Sequence, residues 1–275
     1  MRRLLRCYQN AGLDGIPLSE IPLFRLFVSS MNVIEFSHVW KSFHRTAGQR
    51  LLRHYFAELF GGADDSPFHA LKDISFKIGE GECVGVVGAN GAGKSTLLSL
   101  VTGLVPPNRG EVKVQGRVAA LLELGAGFHP DLTGRENVLL NASLMGFKRS
   151  EAMNLYESIV DFAEMSDFMG EPLRTYSSGM KLRLGFAVAV NLNPDVLILD
   201  EILAVGDQAF QAKCTEKVFE IKKAGKTILC VSHSGATIQG LCDRALWLDH
   251  GQLVMDGFAK EVVPAYECRQ SVSHA

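Results

Sequence analysis

The sequence predicts an α/β domain built on a mostly parallel sheet, with an antiparallel β edge and a helical lobe inserted between strands. Three observations predict it. Short continuous apolar runs, Cys83-Val84-Gly85-Val86-Val87, Val196 to Leu199 and Thr227 to Val231, have the composition of strands covered on both faces. Segments with apolar residues at helical spacing separate those runs. The first run leads through a glycine-rich turn, Gly88 to Gly93, straight into a helical pattern.

In chain order, Val33 to Val39 reads as an edge strand. Lys41 to Asp65 is a mixed segment in which Leu51, Leu52, Tyr55, Phe56, Leu59 and Phe60 are spaced for a short amphipathic helix, closed by Gly61-Gly62 and Pro67. Ala70 to Ile78 resumes strand alternation, and Gly79-Glu80-Gly81 turns the chain into the first apolar run. Lys94 to Thr102 reads as a helix ending at Gly103, and Pro106 to Gly110 as a loop leading to short strands through Leu122. Helical spacing then dominates from Arg135 to Met145, from Ser150 to Ala163 and from Ser178 to Val190. A helix from Phe210 to Lys223 separates the last two buried strands. Ala245 to Leu248 and Leu253 to Met255 form a final strand pair, and a helix lies near Val262 to Cys268.

Bulk composition narrows the function. The 275 residues suit one large domain with a short appendage at either end. A net charge of -2 supplies no basic footprint for nucleic acid, so none is expected as a partner. No apolar run approaches the roughly 20 residues that span a bilayer, so work at a membrane would need a partner. Cys7, Cys83, Cys214, Cys230, Cys242 and Cys268 are scattered, without metal spacing, and read as reduced packing thiols. Residues 1–30, with Arg2, Arg3 and Arg6 ahead of a Gly- and Pro-broken stretch, read as an extension, disordered or upstream of the true start. The alternative for them is a weak amphipathic membrane-surface segment.

Gly88-Ala89-Asn90-Gly91-Ala92-Gly93-Lys94-Ser95 is a phosphate-binding loop in the strand–turn–helix setting that gives this pattern its meaning. Glycines let backbone N–H groups close around phosphates. Lys94 neutralises the β- and γ-phosphates, Ser95 offers a hydroxyl to Mg²⁺, and Thr96 continues the cradle into the helix. Such a loop needs a carboxylate on the metal side, and Asp200-Glu201 follow the buried run at Leu199. Asp200 is the candidate Mg²⁺ ligand and Glu201 the base that polarises the attacking water. The expected substrate and metal are therefore ATP and Mg²⁺.

Tyr176-Ser177-Ser178-Gly179-Met180 resembles the ABC signature motif, departing from its common form LSGGQ at the first, third and fifth positions. Ser178 reads as the cap of the helix that follows, giving Ser177, Ser178 and Gly179 an anion-binding end. His233, after the strand ending at Val231, resembles the switch histidine of ABC proteins, and Ala204-Val205-Gly206-Asp207 resembles their D-loop. The resemblance implies an ABC-type P-loop core over residues 31–270 with a helical lobe at about 134–186, and a tail at 271–275. It also implies an aromatic ring against adenine, for which Phe43 is the best match and Phe68 and His69 compete. Where a glutamine would stand ahead of Gly127, this chain has Leu124 with Glu123 beside it.

The stretch from Leu121 to Asn137, with the signature and D-loop forms above, is similar to ATPase subunits of bacterial O-antigen, capsular polysaccharide and teichoic acid exporters. Their resemblance implies a head-to-tail homodimer with two buried ATP molecules. It implies an integral-membrane permease partner docked near Glu123 to Arg135, with Phe128 and Leu132 as an exposed apolar element or as local turn packing. It also implies work at the cytoplasmic face of the inner membrane and, with no further domain expected after the helix near Val262 to Cys268, no sugar recognition by this chain itself. The alternatives are a transporter for another cargo and a soluble ABC ATPase.

Overall fold

The computed structural model describes residues 32–43, 67–121, 127–200, 206–232 and 234–273. The expected extension at residues 1–30 and the helix over 51–60 lie outside them. The described chain opens with strands β1 (Asn32–Phe43), β2 (Phe68–Gly79) and β3 (Cys83–Val87), then helix α1 (Lys94–Val101) and strands β4 (Arg109–Val114) and β5 (Val118–Ala120). Three helices follow: α2 (Gly134–Leu144), α3 (Arg149–Ala163) and α4 (Ser178–Asn191). The last part alternates β6 (Val196–Asp200), α5 (Gln208–Lys223), β7 (Thr227–Val231), α6 (Gly235–Leu241), β8 (Arg244–Asp249), β9 (Gln252–Phe258) and α7 (Ala259–Ser273).

The apolar runs become neighbours. A six-stranded sheet has the order β5-β6-β7-β3-β8-β9, parallel throughout except for β9, which closes one side antiparallel to β8. Strand alternation divides its two faces. Val84, Val86, Ile198, Leu229, Val231, Leu246 and Leu248 pack on one side with Leu97, Leu98 and Val101 of α1 and with β1 and β2. Cys83, Val87, Leu197, Leu199, Cys230 and Trp247 face the other side, against α4 to α7. At Gly85 on that face a Cβ would collide with the Ile238 side chain, so glycine lets α6 lie directly on β3.

A second sheet has the order β2-β1-β4, antiparallel at both pairings. The strand expected at the edge is therefore central. The physical reason is composition: Val33, Ile34, Phe36 and Val39 are buried, while the short charged β4 carries the exposure that an edge strand needs. Helix α6 is an element that the sequence pattern did not predict. It has only seven residues, with Gly235 and Gly240 among them, and it forms because the Ser234 side chain caps Thr237 N and Ile238 and Leu241 are buried.

Helices α2, α3 and α4 share a separate cluster around Val138, Ile159, Leu173, Leu184 and Val188. It meets the sheet through rings. Phe162 of α3 stacks on Phe186 of α4 at 6.0 Å between centroids, and both reach Phe210 of α5 edge-on at 5.7 and 6.4 Å. Phe186 is fully buried at this junction. Phe186→Ala is expected to destabilise the fold by about 3–5 kcal/mol, the range for emptying a Phe site. Urea denaturation followed by far-UV circular dichroism would read this as a lowered midpoint with an unchanged slope.

Three of the cysteines, far apart in sequence, meet in the core. Cys83 Sγ lies 3.5 Å from Cys242 Sγ. Hydrogen bonding with Cys230 and Cys83, then burial, pushes the Cys242 thiol up, so it stays protonated. Burial likewise raises Cys214, to about 12. These are inert packing thiols, as their residue type suggests.

Candidate active site

The parallel strands β3, β6 and β7 run together, so their carboxyl ends share one rim of the sheet. In an open α/β sheet that rim is where ligands sit. The turn from Gly88 to Gly93 follows β3 there, and Asp200 ends β6 half-buried. With β7 between them, β3 and β6 stand about 10 Å apart by ordinary strand spacing.

The turn is closely held. A Cβ on Gly88 would collide with the Leu248 carbonyl oxygen, and one on Gly93 would stand 2.6 Å from the Ala70 carbonyl oxygen. Gly93 also has φ 107°, a left-handed conformation that side chains disfavour. Ala92 N donates to Ala89 O at 3.1 Å and Gly251 N to Ala92 O at 3.0 Å, fixing the turn against the sheet. The Lys94 ammonium is buried and donates to the carbonyls of Gly88 and Ala89 at 2.7 and 3.0 Å. Ala89, Asn90, Gly91 and Ser95 are exposed at the rim, with Thr96 half-buried behind them.

Helix α1 begins at Gly93 with no side-chain cap, whereas α2, α4, α5 and α6 are capped by Thr133, Ser177, Asp207 and Ser234. Its first N–H groups and the positive end of its dipole thus face the rim. An uncapped helix end, a loop with no room for side chains and a held lysine fit a bound polyphosphate. Ser95 and Asp200 are oxygen donors of the kind that Mg²⁺ takes.

The aromatic candidates lie at one end of the β1–β2 pair. Phe43 and Phe68 are directly opposite each other, 41% and 47% exposed, and His69 lies opposite Ser42. Ala70, next along β2, is the residue whose carbonyl approaches Gly93, so this end of the pair adjoins the phosphate loop. All three rings remain candidates on exposure and position.

The signature segment stands at the other end of α4. Ser177, not Ser178, is the cap: its Oγ accepts from Met180 N at 3.2 Å, and Ser178 is the first helical residue. The shift by one residue arises because Tyr176 and Ser177 have extended backbone, so the turn begins only after Ser177. Ser177 and Ser178 are exposed and Gly179 half-buried. Asp207 caps α5 and pairs with Arg183 of α4 at 2.5 Å. The Phe210 amide and the Arg183 guanidinium hold the Asp207 carboxyl below the usual carboxylate range. Glu123, Leu124, Glu201, Ala204, Val205 and His233 lie outside the described residues. Phe128 is half-buried and packs against the α2–α4 cluster, and Leu132 is half-buried as well. Phe128 therefore contributes local turn packing, because the loop folds back onto those helices.

The fold and this site define a P-loop nucleotide-binding domain. A family model described as ABC transporter matches residues 71–204. The O-antigen export system ATP-binding protein RfbB of Klebsiella pneumoniae is 46% identical over 239 residues, covering 86% of this chain and 97% of that protein. The chain belongs to the ABC transporter family, as an ATP-hydrolysing, ATP-binding subunit. The teichoic acids export ATP-binding protein TagH of Bacillus anthracis is 46% identical over 211 residues, 76% of this chain and 38% of that protein. Among solved structures, the ATP-binding cassette MJ0796 in a dimeric post-hydrolysis state with ADP and Pi shares the fold, with TM-score 0.65 and 20% identity over 82% of this chain and 98% of that one. Among the described residues no helix is long and apolar enough to cross a membrane.

Proposed function

We propose that this chain is the ATP-hydrolysing motor subunit of a transporter that exports a polysaccharide or lipid-linked glycan across the cytoplasmic membrane. The observation that carries this reading is the 46% identity to an O-antigen export ATP-binding protein along 97% of that protein's length. Residues 31–270 form the ATP-binding domain in this reading, with the helical lobe at about 134–186. A permease embedded in the membrane supplies the path, and this chain works beside it on the cytoplasmic face.

The chemistry is phosphoryl transfer to water, which is mainly positioning and charge neutralisation. The loop from Gly88 to Ser95 and Thr96 holds the phosphates with backbone N–H groups, and Lys94 neutralises the β- and γ-oxygens. Mg²⁺ supplies further neutralisation when bound, with Ser95 and Asp200 as its protein ligands. Glu201 accepts a proton from water as the new P–O bond forms and the bond to ADP breaks, and His233 contacts the γ-phosphate. One exposed ring, Phe43 in the first instance, stacks on adenine. Ser177, Ser178 and Gly179, at the N-terminus of α4, receive the γ-phosphate held by a second copy, so two chains pair head to tail around two ATP molecules.

The test is capture of partners by a tagged Glu201→Gln chain in native cells, with ATP and Mg²⁺ in mild detergent. Recovery of one multi-spanning permease, with glycan biosynthesis genes beside its own, is the expected result. Recovery of ribosomal or DNA-repair proteins without any membrane protein would overturn the exporter reading.

A further inference from the structure

The loop after residue 127 and the segment ahead of the signature are stitched together. Leu173 N donates to Leu132 O at 2.9 Å and Arg174 N to Pro130 O at 2.8 Å. In return, Gly134 N donates to Glu171 O and Arg135 N to Met169 O, both at 3.1 Å. Arg174 Nη1 pairs with Asp131 Oδ1 at 2.8 Å. Asn137, fully buried, fixes the loop from inside: its Oδ1 accepts from His129 N at 2.7 Å and its Nδ2 donates to the carbonyls of His129, Leu132 and Thr133 at 3.0 Å each. Two irregular segments thus form one unit, and the residue that leaves it is Ser177.

Tyr176 locks that exit. Its ring is buried and its hydroxyl donates to Phe168 O at 2.5 Å. Burial pushes the phenol up to about 12, so it remains a donor throughout the neutral range. Gly134, the first residue of α2, lies against it: a Cβ there would collide with the Tyr176 hydroxyl and stand 3.2 Å from the sulfur of Met169. The backbone at Gly134 is not in the left-handed region, so the glycine is there for space.

We infer that Gly134 and Tyr176 are positioning residues for Ser177: their interlock sets where the N-terminus of α4 stands relative to the 128–135 loop. This rests on the proposed reading that this helix end acts on ATP held by a second copy. The phosphate loop is on the sheet and independent of the interlock, so the effects separate. A disturbed interlock lowers turnover and ATP-driven pairing while each chain still binds ATP through its own loop.

The experiment compares the full chain with Gly134→Ala, Tyr176→Phe and the double variant. It measures thermal unfolding, ATP affinity at monomer concentrations, kcat, and pairing with ATP in a Glu201→Gln background by sedimentation. Displacing a reacting group by about 1 Å can cost up to about 10²-fold. Gly134→Ala is expected to lower kcat and weaken pairing about tenfold with ATP affinity within about twofold. Adding Tyr176→Phe should bring the loss back to about threefold, that of Tyr176→Phe alone, because removing the hydroxyl vacates the space the new methyl needs. Equal kcat in Gly134→Ala and wild type, or no rescue in the double variant, overturns the inference. Should Gly134→Ala fail to fold, Tyr176→Phe alone decides: a fall of about threefold in kcat at unchanged KM supports the inference, and no change refutes it. A wild-type chain that neither hydrolyses ATP nor pairs with it would instead sink the proposed function.

Discussion

Glu201→Gln is expected to leave ATP binding intact and to lower turnover by at least about 10²-fold, the contribution of a positioned general base. Asp200 ends β6 on the rim shared with the phosphate loop. Glu201 is the acid next in sequence, and in an open α/β sheet ligands bind beyond the carboxyl ends of the strands. Glutamine keeps the size and hydrogen-bonding reach of glutamate and removes the proton acceptor. Binding rests on the loop, so the affinity for ATP should stay within about threefold while the rate collapses. ATP affinity by equilibrium fluorescence and phosphate release under single turnover would separate the two. Retention of more than about a tenth of wild-type turnover would remove Glu201 from this role.

The parts of the fold legible in sequence were those whose signal is local. The runs at Cys83, Val196 and Thr227 are almost entirely apolar because parallel strands are covered on both faces, and all three became central strands of the six-stranded sheet. The phosphate loop was legible because its glycines answer steric demands on a short stretch of chain, at Gly88 and Gly93 above all. What escaped depended on partners distant in sequence. The central place of β1 is decided by β4, some 70 residues later, and the meeting of Cys83 with Cys242 by the order of β3 and α6. The role of Gly134 is visible only once Tyr176 is folded against it. Ser177 and Ser178 are equally good caps by residue type, and only the extended backbone through Ser177 chooses between them.

Lys94→Ala is expected to lower both ATP affinity and turnover, with turnover falling by about 10²- to 10³-fold, the scale for removing one preorganised charge-stabilising donor. The geometry explains why so much rests on one side chain. The ammonium is buried beneath the loop and already hydrogen-bonded to the carbonyls of Gly88 and Ala89. No reorganisation is then needed when phosphate charge arrives, and low solvent exposure strengthens its field. Lys94→Arg should not rescue activity, because a planar guanidinium cannot occupy a site formed around a compact ammonium in a tight turn. Both variants should remain folded, since the sheet contacts of the turn pass through the Ala92 and Gly251 backbone. Isothermal titration with ATP and Mg²⁺, beside a steady-state phosphate assay, would test this. An alanine variant within about threefold of wild type in both measurements would show that the charge is supplied elsewhere, and the loop would lose its assigned part in catalysis.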